Sequence, residues 1–198
     1  MKLKKWELAL IIALGVTLLS GAGLLHKQTH LADRLIRLHV VANSDSDEDQ
    51  ELKLTVRDRV QAEIQPLLYG VSDRDHAAYI ICTRIDAITT AVIDEVQGHD
   101  LSVNVSIGVE SFPMRQYETF TLPAGRYKAL RVELGESAGR NWWCVVFPPL
   151  CAESATRATA ALETLPDNQI LLITEDSAGH IVKFRTLELI ERMRSLFD

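Results

Sequence analysis

The sequence predicts an α+β fold: a single exported domain with a largely antiparallel sheet packed by about four helices, preceded by an N-terminal signal or transmembrane helix. Three observations predict it. Lys2, Lys4 and Lys5 are followed by a run from Leu8 to Leu25 without a charged side chain. Two long segments then repeat apolar residues at helical spacing. From Leu101 onward the apolar period drops to two.

The basic start and apolar run have the arrangement of an export signal, and the run is about long enough to cross a bilayer as a helix. Ser20-Gly21-Ala22 offers small residues at a signal-peptidase spacing, so residues 1–27 are read as a cleaved signal peptide or a retained N-terminal anchor. The lysines stay in the cytoplasm by the positive-inside rule, which places residues 28–198 outside as one extracytoplasmic domain.

In that domain, residues 35–42 are short and rich in β-branched side chains, which predicts a strand. Asn43-Ser44-Asp45-Ser46-Asp47 supplies helix N-caps. A helix over 47–65 follows, with Leu52, Val56, Val60 and Ile64 as its stripe and Pro66 at its end. A second helix over 74–96 carries Ile81, Ile85, Ile88, Val92 and Val96, and Gly98 closes it. Leu101, Val103, Val105, Ile107 and Val109 alternate with Ser102, Asn104, Ser106 and Gly108, a half-buried strand.

Strands over 116–122 and 126–134 are expected to pair across a hairpin at Pro123-Ala124-Gly125. Another strand, 142–147, stops at Pro148-Pro149. The tail reads as a helix over 153–165, strands over 169–174 and 181–184, and a last helix over 186–197.

Charge excludes one class of function. The chain has 21 basic and 27 acidic residues, and setting aside Lys2, Lys4, Lys5 and Glu7 takes the net charge from −6 to −8. An acidic exported domain lacks the positive footprint that nucleic acid requires. No cofactor and no metal is expected. Asp45, Asp47 and Asp49 have the odd spacing of a calcium loop, but Gln50 stands where such a loop needs glycine and Val56 where it needs glutamate. Acidic residues at a helix start serve capping and the helix dipole without any metal.

Cys144 as nucleophile and His39 as base, oriented by Asp45 or Asp47, would make an exported envelope cysteine hydrolase, the alternative function. There is no Gly-x-Ser-x-Gly, phosphate loop or His-Glu-x-x-His to support catalysis. Outside the cytoplasm thiols tend to pair, and the Pro148-Pro149 turn can bring Cys144 near Cys151. A disulfide or two buried thiols both fit, and Cys82 is expected in the core.

Asn141 to Cys151 holds two of the three tryptophans and two of the three cysteines. Successive strand residues face opposite ways, so Trp142 and Trp143 cannot enter the same core. One of them is expected near a second surface, with Phe147 and Pro148 as further contact residues for a protein partner.

Three blocks resemble the stage II sporulation protein R family: Leu38-His39-Val40-Val41-Ala42-Asn43-Ser44-Asp45-Ser46-Asp47-Glu48-Asp49-Gln50 with Leu52 to Asp58, then Leu122 to Arg131, then Asn141 to Cys151. The resemblance implies a non-enzymatic signalling protein of endospore formation. Such a protein is made in the forespore and exported across its membrane into the intermembrane space. There it activates a membrane-embedded aspartic protease of the stage II sporulation protein GA type, which processes a mother-cell sigma factor precursor. From the position of the blocks, Asn43, Ser44, Asp45, Asp47 and Asp49, with Asn141, Trp142, Trp143, Phe147 and Pro148, are the expected partner surface, and the catalytic set is empty. An envelope-anchored structural protein is a further possibility.

Overall fold

The computed structural model describes residues 31–117 and 120–150, together with Lys4, Leu10, Ile11, Gly15, Leu165 and Ile170. The expected signal or anchor over 1–27 and the tail elements beyond Leu150 lie outside the described residues. Among those described, no single helix is long and apolar enough to cross a membrane.

The elements run β1 (Ile36–Val41), α1 (Asp47–Leu67), α2 (Arg74–Thr83), α3 (Ile85–Glu95), β2 (Val103–Phe112), β3 (Arg115–Gln116), β4 (Thr121–Leu122), β5 (Gly125–Leu134) and β6 (Asn141–Phe147). Four strands form one sheet in the order β2-β5-β1-β6, and β3 and β4 form a small ribbon. β5 is antiparallel to β2, β6 is antiparallel to β1, and β1 runs parallel to β5. The fold is α+β with a mostly antiparallel sheet, as expected, and three helices among the described residues.

Every residue of β1 is buried, because β5 and β6 flank it and both faces of the sheet around it are covered. Ile36, Leu38 and Val40 join Leu130, Val132 and Leu134 of β5 under the helices. Leu52, Val56, Val60 and Ile64 of α1 close that core, which is the stripe the four-residue spacing predicts. On the opposite face a second cluster gathers Leu31, Leu35, Phe112, Phe120, Leu122, Tyr127, Ala129 and Val145. Alternation of side chains along each strand thus feeds two different cores.

Ser46 is the N-cap of α1, its hydroxyl accepting from the Asp49 amide at 3.2 Å. Asp47, Glu48 and Asp49 occupy the first turn, where the helix dipole favours carboxylates. The helix continues through Pro66 to Leu67, slightly beyond the predicted end.

Three expectations are corrected. The second helix is two, α2 and α3, bent by 62° at Arg84. The apolar stripe spans the break without a proline or glycine to mark it. The break is local: the Thr83 hydroxyl donates to the Ile80 carbonyl at 2.8 Å, and the Arg84 amide donates to Ile81 at 3.1 Å, three residues back.

The strand over 116–122 is instead the β3–β4 ribbon, with Arg115 opposite Leu122 and the Tyr117 amide donating to Phe120 at 2.8 Å. Pro123-Ala124-Gly125 is therefore no hairpin; it is the corner into β5, pinned by the Tyr127 hydroxyl donating to the Pro123 carbonyl at 2.8 Å. Tyr117 and Phe120 stack at 4.5 Å across the ribbon, an aromatic pair that supports the β3–β4 pairing. Finally, Cys82 is exposed, in the last turn of α2, while Ala77, Ala78 and Ile81 are the buried residues of that helix.

The packing makes a contrast between two valines. Val56→Ala, fully buried under the sheet, is expected to cost about 2 kcal/mol of unfolding free energy. Val109→Ala, on the edge strand and 55% exposed, should cost less than about 0.5 kcal/mol. Urea denaturation of the two variants measures the difference.

Candidate functional site

Antiparallel pairing of β1 with β6 sets Val41 opposite Asn141, Val40 opposite Trp142, His39 opposite Trp143 and Leu38 opposite Cys144. The polar block after β1 and the start of the tryptophan block are thereby brought to one end of the sheet.

The polar block is tied down by its own hydrogen bonds. Asp49 accepts from the Ser44 hydroxyl and from Asn43 Nδ2 at 3.0 Å, while Gln50 Nε2 donates to the Ser44 carbonyl at 2.8 Å. Asn43 Oδ1 accepts from the Glu136 amide at 3.0 Å, and Asp45 accepts from the Arg140 amide at 2.7 Å. The amides of Ala138 and Gly139 donate to the carbonyls of Asn43 and Ala42, each at 3.0 Å. A side chain at Gly139 would collide with the Ser44 backbone, so this glycine is what allows the two loops to touch.

Lys53 is 5% exposed and completes the lock, its ammonium donating to Gln50 Oε1 at 2.6 Å and to the Arg140 carbonyl at 3.2 Å. Burial, and then the nearby Arg140 charge, lower its pKa from the ordinary lysine value. Within this lock the three aspartates have distinct surroundings: Asp45 faces Arg140, Asp49 faces Ser44 and Asn43, and Asp47 starts the helix.

The two tryptophans part as expected. Trp142 is 36% exposed on the helix side, with the Arg57 guanidinium 4.6 Å from its ring centre. Trp143 is half-buried on the other face, between Arg115, 3.7 Å above its ring, and His39, stacked at 5.8 Å. Asn141 is exposed beside them. Phe147 and Pro148, expected on the partner surface, are both buried: Phe147 fills the core beneath the helices at 6% exposure. An apolar strand end next to prolines carries the same composition whether it lies inside or out.

The Cys144–His39 pairing is overturned by register. Leu38 lies opposite Cys144 and His39 opposite Trp143, so the thiol points to the helix face and the imidazole to the other. Cys144 is 1% exposed, near Gln61 Nε2 at 3.9 Å. Cys151 lies outside the described residues, and with it the expected disulfide.

His39 is held instead by Glu110 Oε2, 2.8 Å from Nδ1, and by Asn141 Oδ1, 2.7 Å from Nε2. Arg131 links the same network, 3.6 Å from Glu110 and 2.7 Å from Glu133, whose other oxygen accepts from Asn104 at 2.9 Å. The Arg131 hydrogen bond holds the Glu133 carboxyl below its ordinary pKa. Sequence reasoning missed Glu110, Arg131, Arg57 and Arg115. Each is a single polar residue in an ordinary strand or helix pattern; strand pairing brings Glu110 and Arg131 to His39, while packing of α1 and of the β3–β4 ribbon brings Arg57 and Arg115 to the tryptophans.

Fold and surface together define a small α+β domain whose polar chemistry is spent on internal locks, leaving one tryptophan at the rim. Comparison with known proteins makes the class specific. Residues 32–157 match the family described as stage II sporulation protein R, and the chain belongs to that family. It is similar to the stage II sporulation protein R of Bacillus subtilis (strain 168), 39% identical over 123 residues. The match covers 61% of this chain and spans 55% of the length of that relative. No solved structure matches the chain.

Asp49 gives the lock a pH dependence. Its carboxyl lies below the ordinary value of 3.8, first because the Ser44 hydroxyl donates to the charged form. A depressed carboxyl adds stability that is complete above the unfolded pKa and is lost as pH falls through the folded one. Asp49→Asn should therefore flatten the fall in unfolding midpoint below about pH 4, as read by urea titrations at successive pH values.

Proposed function

We propose that this sporulation protein is an exported signal that acts between the two cells of the sporangium. By binding a membrane-embedded aspartic protease of the stage II sporulation protein GA type, it activates processing of a mother-cell sigma factor precursor. The observation that carries the reading is the family match over residues 32–157, which ties this domain to sporulation. Export rests on the basic and apolar start of the sequence. The protein is a ligand in this reading, delivered either free or on an N-terminal anchor.

The partner surface narrows to residues with area to offer. Trp142, propped by Arg57, is the anchor, with Asn141, Asp45 and Asp47 exposed at the same end of the sheet. A tryptophan held in place by a cation loses little freedom on binding, which suits a hot spot. Asn43, Ser44 and Asp49 position this rim through the lock, and Trp143 faces away from it.

Cells lacking the chain are expected to accumulate the unprocessed sigma precursor; normal processing would sink the reading. Trp142→Ala should weaken binding to the protease at least about tenfold while leaving the urea midpoint nearly unchanged. An unaltered affinity would move the contact surface elsewhere without touching the deletion result.

A further inference from the structure

We infer that the guanidiniums of Arg37 and Arg115, held between the main sheet and the β3–β4 ribbon, form a binding site for a carboxylate. Arg37 is 0% exposed, yet among the described residues its Nε and Nη1 have no hydrogen-bond partner. Its Nη2 donates to the Tyr117 hydroxyl at 2.7 Å. Arg115, half-buried on β3, has a third unfilled donor at Nε. Among the described residues, neither arginine takes part in an ion pair.

The walls are aromatic. The Arg37 guanidinium carbon lies 4.1 Å from the Phe112 ring centre and 5.1 Å from that of Tyr127, while Trp143 lies under Arg115 at 3.7 Å. Rings attract a guanidinium through its flat face, but its N–H groups point outward in the guanidinium plane and gain nothing from the stacking. Two cations side by side also repel: burial first, and Arg37 with it, push the Arg115 pKa down. Arginine does not escape by losing a proton, so the unfilled donors and the repulsion both call for an anion.

A carboxylate fits this demand better than a phosphate. It carries one charge and has up to four acceptor sites for the three unfilled donors, and its flat shape suits ring-lined walls. A phosphate dianion would match the two positive charges, but it would bring more acceptor oxygens than three donors can satisfy in a buried site. Arg115 is the partly exposed member of the pair, and Arg37 is the buried one. The inference goes beyond the partner surface at Trp142, which lies on the other face of β6.

The test is thermal unfolding of the full chain at constant pH and ionic strength, in sodium acetate against sodium chloride. Acetate should raise Tm saturably, by about 5 °C at a hundredfold excess over Kd. Arg37→Met should abolish the rise without lowering Tm in chloride, since an apolar chain of similar length suits the rings better than an unpaired cation. Arg115→Met should shift saturation to at least about tenfold higher acetate.

Equal Tm in acetate and chloride, a rise that survives Arg37→Met, or a rise with sulfate alone would overturn the inference. Should Arg37→Met fail to fold, an unshifted acetate response in Arg115→Met overturns it equally. A capped glycine-glutamate-glycine peptide identifies the source. Saturation below the acetate concentration assigns the site to a protein-borne carboxylate, and saturation above it assigns a free acid; either supports a carboxylate site.

Discussion

The structure depends on β1 being buried on both faces. A strand of six residues, IRLHVV, is paired in parallel with β5 and antiparallel with β6, and none of its residues reaches solvent freely. Such a strand must place something inside on each side. Ile36, Leu38 and Val40 are suited to that and seat the helices. Arg37 and His39 are not, and they force the opposite face to supply chemistry in place of simple apolar contact. His39 obtains Glu110 and Asn141; Arg37 obtains Tyr117 and two aromatic rings. The two sides of one sheet therefore differ: an apolar core lies under α1 to α3, and on the other side a second apolar cluster is joined by a network of charges and rings.

The same strand places the conspicuous sequence blocks. Its end carries the chain into Asn43 to Gln50, and its partner β6 begins at Asn141, so pairing alone brings the blocks together. The loop lock then holds them: Asn43, Asp45 and Asp49 spend their polar groups on backbone amides and neighbouring side chains. Polar residues that look like a binding surface in sequence are here mainly the reason that Trp142 has a fixed position. Removing the lock would loosen the rim as well as the helix start, because Ser46 and Asp49 belong to both.

How much of this was legible follows from range. The stripe of α1, the alternation of β2 and the opposed tryptophans were readable, since each is a pattern within a single element. The break at Arg84 was not, because the apolar spacing carries across it and neither proline nor glycine marks it. The β3–β4 ribbon was hidden because 116–122 reads as one continuous strand-forming segment, with no glycine or proline in the sequence to divide it. Glu110, which lies 71 residues from His39, leaves no trace in sequence at all. A cysteine and a histidine in sequence suggested a catalytic pair, and a shift of one residue in register put them on opposite faces.

That register also explains why an acidic domain keeps an uncompensated arginine inside. Arg37 is placed between Ile36 and Leu38, both needed by the helix core, so the alternation of β1 commits it to the other face whatever its chemistry. Moving it out would require slipping β1, which would expose the whole apolar set to solvent. The helix core thus holds the cation where water is excluded, at a cost met only in part by Tyr117 and the rings. A fold that can impose this strain from one face can present a preorganised cation on the other. The remaining donors of Arg37 stay fixed in direction by the strand, which is the condition under which a buried charge selects its ligand by geometry as well as by sign.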